Sequence, residues 1–104
     1  MGTIKILKLP GETVTTTFWN DFTIADIGGI PAIRDTFNRA FEEWKSDYRY
    51  LTNLVVTLNY KSWDFAEVNE DIAEVYVELY EKARDYAVSN LKGAEFDYFY
   101  NITD

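Results

Sequence analysis

A chain of 104 residues that is 47% hydrophobic and 17% aromatic has enough apolar surface to bury one core without metal or disulfide staples, and too many rings for a disordered segment. Its net charge of −8 sets it against nucleic-acid phosphates and anionic membranes unless a local basic patch intervenes, and none is found. With no cysteine and no histidine, disulfides, thiolate chemistry, iron–sulfur clusters and the commonest neutral-pH base and metal ligand are excluded.

Residues 3–9 and 13–19 are β-branched, apolar and aromatic, and Pro10-Gly11 between them is a turn signal. The expectation is a β-hairpin over residues 1–19 that packs on helices. Thr23-Ile24-Ala25-Asp26 fits a capping box that opens a short helix, which Gly28-Gly29 ends. Pro31 suits the first turn of the next helix, and Ile33, Phe37, Ala40, Phe41 and Trp44 recur on one of its faces, so this helix is predicted from about Pro31 to Lys45.

Ser46 or Asp47 caps the following helix, whose apolar positions Leu51, Leu54, Val55, Leu58 and Phe65 are widened by Val56, Tyr60 and Trp63. That breadth predicts a central helix with neighbours on two sides. Residues 52–58 also have strand propensity, but the helical spacing continues to Phe65 and decides for helix. Asn69 caps the longest helix, with Glu70 and Asp71 at the positive end of its dipole. Its stripe runs through Ile72, Val75, Tyr76, Leu79, Ala83, Tyr86, Ala87 and Leu91, and Gly93 suits a left-handed stop. In the tail, Phe96, Phe99 and Tyr100 fit a helical face, while Phe96, Tyr98, Tyr100 and Ile102 fit a strand. The reading leans to a short helix or irregular segment covering the core. The fold class is therefore α+β and predominantly helical: one domain over residues 1–104, with a hairpin at 1–19, about three main helices at 20–93 and a tail at 94–104.

The charge is uneven. Residues 1–50 carry 6 basic and 7 acidic side chains, and residues 51–104 carry 4 and 11. The sharpest motif is the acidic row Glu70, Glu74 and Glu78, with Glu81 and Asp85 beside it. Carboxylates at i, i+4 lie about 6 Å apart, a spacing comparable to that of phosphates along a nucleic-acid strand. The row is a candidate partner-binding face; the plainer alternative is a solvated helix surface, relieved by Glu78 and Lys82. The corner at Gly28-Gly29 resembles a helix-turn-helix, but Arg34, Arg39 and Lys45 face Asp35, Glu42 and Glu43 there, which disfavours DNA reading. Asp21, Asp26 and Asp35 lie near the same corner without a spacing that singles out a catalytic pair. Ser46, Ser62 and Ser89 have no histidine to activate them, and nothing fits a phosphate loop, dinucleotide fingerprint or calcium loop. The expectation is no enzyme, no cofactor and no metal. Trp19, Trp44 and Trp63 are expected in the core or at its edge, as are the rings at 96–100, which otherwise form an exposed patch.

Residues 17–26 and 32–45, with Tyr50-Leu51-Thr52 and Leu91-Lys92-Gly93, carry a resemblance over most of the chain. The chain resembles small acidic proteins encoded on conjugative elements and phages of Gram-positive bacteria. That group has no assigned activity, so the resemblance transfers no site residue. It implies a bacterial cytoplasm and an accessory role. No apolar run approaches the length of a membrane span, and the start Met1-Gly2-Thr3 lacks a secretion signal, so cytoplasmic is also the location expected by elimination. The leading functional expectation is a non-enzymatic accessory protein that binds another protein, with homo-oligomerisation left open. The alternative is an acidic nucleic-acid mimic that blocks a DNA-binding host-defence enzyme.

Overall fold

The structure, a computed structural model, is described over residues 15–103. Among the described residues five helices follow one another: α1 (Thr15–Gly28), α2 (Ile30–Trp44), α3 (Tyr48–Phe65), α4 (Glu70–Asn90) and α5 (Gly93–Thr103). Among the described residues there is no strand, so the α+β expectation is corrected to an all-helical bundle.

The correction starts at the expected hairpin. Its first strand and turn, residues 3–11, lie outside the described residues. Its second strand does not form, because the chain is helical from Thr15. The β-branched run lost to a longer-range pattern: Phe18, Phe22 and Ala25 recur at i, i+4, i+7 and all bury. Burying two phenylalanines outweighs the few tenths of a kcal/mol per residue by which threonine disfavours helix. The capping box is overturned with it. Thr23 sits inside α1, where its hydroxyl donates to the Trp19 carbonyl at 2.8 Å, and Asp26 has partners elsewhere in the bundle.

Glycine makes the corner from α1 to α2. Gly29 adopts φ +85°, a left-handed value that side chains resist, and the Ile33 amide donates to its carbonyl at 3.0 Å. A Cβ on Gly28 would lie 2.7 Å from the Ala32 Cβ, so the helices meet here only because that side chain is missing. The two expected caps form. Asp47 accepts from the amides of Arg49 and Tyr50, and Asn69 accepts from that of Ile72. Helix α4 ends differently from the expectation: Leu91 turns extended as its cap, and the left-handed Gly93, at φ +59°, begins α5. The tail is a helix; Phe99 is buried, Phe96 half-buried and Tyr100 exposed.

Helix α3 is central. It contacts each of the other four helices, and every residue from Leu51 to Leu58 is buried. One continuous core joins Phe22 of α1, Phe37 of α2, Leu54 of α3, Leu79 of α4 and Phe99 of α5. A helix buried all round must satisfy its own polar groups. Thr52 and Thr57 do so by donating to the carbonyls of Tyr48 and Asn53, both at 2.7 Å, and Ser62 donates to that of Asn59 at 2.6 Å. Asn53 does not: its side chain is fully buried, and neither Oδ1 nor Nδ2 has a hydrogen-bond partner. Leucine has the same branching and heavy-atom count without that desolvation cost. Asn53→Leu is expected to raise stability by about 1–3 kcal/mol, seen as a higher urea midpoint at unchanged m-value. A lower midpoint would show the site cannot take the swap.

Candidate docking surfaces and a buried ion pair

Helix α4 buries Ala73, Val75, Tyr76, Leu79, Ala83 and Ala87 and turns its acidic side chains outward. Glu70, Glu74, Glu78, Glu81 and Asp85 are all exposed. The row is nevertheless interrupted. Arg34 of α2 forms a two-pronged ion pair with Glu78, donating through Nη1 at 2.7 Å and Nη2 at 3.1 Å. The hydrogen bonds from Arg34 hold the Glu78 carboxyl below the usual glutamate range. Lys82, one turn on, lies 5.7 Å from the centre of the Phe37 ring. A neutralised pair thus stands between Glu70 and Glu74 on one side and Glu81 and Asp85 on the other.

The Glu78 clamp gives stability a sign with pH. A depressed carboxyl contributes fully above the ordinary glutamate range, and the contribution fades as pH falls through the folded-state value. Glu78→Gln is therefore expected to melt below wild type at pH 7 and to converge with it in acid. A melting difference that persists at pH 3 would count against the clamp.

The cations that a DNA-reading corner needs are already engaged. Besides Arg34 with Glu78, Arg39 pairs with Asp35 at 3.6 Å and Lys45 with Glu42 at 3.0 Å.

Where α1, α3 and α4 meet, the fold brings together three groups that the sequence did not link. The Lys61 ammonium donates to Asp26 Oδ2 at 2.5 Å, and the Tyr76 hydroxyl donates to Asp26 Oδ1 at 2.5 Å. The Lys61 side chain is only 4% exposed, and its ammonium lies 4.8 Å from the Trp19 ring, 5.5 Å from Phe65 and 5.8 Å from Tyr76. Aromatic faces replace part of the lost hydration. Burial, reinforced by the bond to Asp26, pushes the Tyr76 hydroxyl well above its ordinary range. Its contribution to stability is thus intact below the ordinary tyrosine range and declines as pH rises beyond it. A spacing argument could not have found this cluster, because its members come from three helices. An isolated lysine among the apolar positions of α3 was the available hint.

The fourth feature is a groove of about 600 Å³ between α1 and α2. Phe18, Ala25, Gly28, Ala32 and Ala40 supply its apolar lining, and Asp21, Asp35, Arg39 and Glu43 its charges. Ile24, on its wall, is 68% exposed, and Ile27, one turn further along α1, is 89% exposed. Asp26, Lys61 and Tyr76 do not line it. The tryptophans divide: Trp19 is buried, Trp44 is half-buried beside the groove and stacked on Tyr50 at 4.0 Å, and Trp63 is 61% exposed, against the expectation of a core or core-edge place. Among the described residues no three acidic side chains converge as a metal site, and no helix is long and apolar enough to cross a membrane.

Compared with known protein families, curated proteins and solved structures, the chain matches none.

Proposed function

We propose that this protein works by binding another protein through the α1–α2 groove, and not by catalysing a reaction. The observation that carries the reading is the pair Ile24 and Ile27. Two large aliphatic side chains are left in water on α1, Ile24 on the groove wall and Ile27 one turn further on, whereas every described leucine is buried and every other described isoleucine is buried or half-buried. Asp26, Lys61 and Tyr76, the buried proton-carrying groups of the cluster, are bonded to one another and do not line the groove. The resemblance to mobile-element proteins supplies the setting, an accessory role in a bacterial cytoplasm.

The test compares wild type with the double variant Ile24→Ser, Ile27→Ser, whose exposed positions should leave the fold intact by circular dichroism. Each is used as bait for a host extract, with quantitative mass spectrometry. A partner retained by wild type and lost by the variant supports the reading. Identical retention by both baits refutes it.

The exposed Glu70, Glu74, Glu81 and Asp85 support a second reading, the nucleic-acid mimic. The Arg34–Glu78 pair weakens it, since an imitation of a phosphate strand needs an unbroken row. Its test is neutralisation of those four residues, which spares the clamp. Undiminished inhibition of a DNA-binding enzyme by that variant would end it.

A further inference from the structure

We infer that the occupant of the α1–α2 groove is a basic amphipathic helix of a partner protein; this rests on the groove being a docking site and adds the chemistry of what docks. The shape is a channel between two helices that touch at their Gly28-Gly29 corner, with alanines and glycine along it. Small residues let a third helix approach closely, as in helix-in-groove recognition. The apolar lining and Ile24 call for aliphatic side chains on one face of the incoming helix.

Its charge follows from the lining. Asp21, Asp35 and Glu43 stand against a single cation, Arg39, and that cation is already committed to Asp35 at 3.6 Å and to the Thr36 hydroxyl at 3.4 Å. Asp21 and Glu43 have no ion pair among the described residues. Both are exposed, so they can meet lysine or arginine without prior desolvation. The same balance argues against a second copy of this chain. Each copy brings a net charge of −8, and the groove walls would set carboxylate against carboxylate.

The probe is a labelled helical peptide of about 16 residues, with leucines on one face and lysines elsewhere. A matched peptide carries glutamate in place of lysine. Binding to the whole protein is followed by fluorescence anisotropy. The lysine peptide is expected to bind about tenfold or more tighter than its glutamate counterpart. Neutralising the groove, by Asp21→Asn, Asp35→Asn and Glu43→Gln, should cost that preference. Neutralising Glu70, Glu74, Glu81 and Asp85 on α4 should weaken binding less than about threefold, through long-range field alone. The proposal fails if the α4 variant loses the peptide instead, if neither peptide binds, or if light scattering shows a dimer that closes the groove. If both peptides bind equally and Ile24→Ser, Ile27→Ser abolishes both, the groove docks protein but its charge preference is wrong. If neither the isoleucine nor the groove-carboxylate variants change peptide binding, the docking reading falls as well.

Discussion

Lys61→Ala is expected to destabilise the protein by about 3–5 kcal/mol. The reason is the company the ammonium keeps. Its side chain is almost fully enclosed, and it faces a carboxylate that is only 16% exposed. Removing it strands Asp26 in a poorly solvated place and opens a cavity among Trp19, Phe65 and Tyr76. For a domain of this size that is a fall in melting temperature of roughly 15–30 °C. Asp26→Asn acts from the other side, leaving a buried ammonium without its counter-charge. The pair is not thereby a net source of stability. Desolvation of both ions offsets much of their attraction, so the combined variant Asp26→Leu, Lys61→Met, Tyr76→Phe should return close to wild type or exceed it. Urea denaturation of the single and combined variants checks this. Single variants within about 1 kcal/mol of wild type would mean that water reaches the pair.

Phe37→Ala should cost a similar amount, about 3–5 kcal/mol, by a different mechanism. Phe37 is fully buried on α2 and stacks on Phe41 with ring centres 5.2 Å apart, and the Lys82 ammonium of α4 lies over it. Truncation loses the transfer free energy of the ring and leaves a void that helices held by neighbouring contacts cannot close. Phe37 shares one continuous core with Tyr76, so the double variant Phe37→Ala, Lys61→Ala measures how far the two losses couple. Both are read from denaturant midpoints at constant m-value. An m-value that drops in Phe37→Ala would point to a native state that loosens instead of emptying.

Much of the helical bundle could be read directly from residue spacing. Ile33, Phe37 and Phe41 define the buried face of α2, and Asp47 and Asn69 cap α3 and α4 as expected, because caps and stripes depend on residues within one or two turns. The start of α1 departs from the expected strand for a related reason. Thr15 to Trp19 has local β-propensity, and the helical stripe that overrides it, Phe18–Phe22–Ala25, straddles the boundary at which the hairpin was ended. Of the candidate acidic face, the outward position of all five residues was legible in their spacing. The Arg34–Glu78 pair that divides it was not, since 44 positions separate its members.

The chain's order of residues determines by itself an acidic, cysteine- and histidine-free helical protein, because composition and short-range periodicity act before any tertiary contact forms. Which charges meet was decided only by the folded bundle. Asp26, Lys61 and Tyr76 become one cluster, and Asp21, Asp35 and Glu43 line one groove, because helix packing brings distant segments within a few ångströms. Coulomb and hydrogen-bond energies depend on that distance and on burial, and neither quantity is written in a linear pattern.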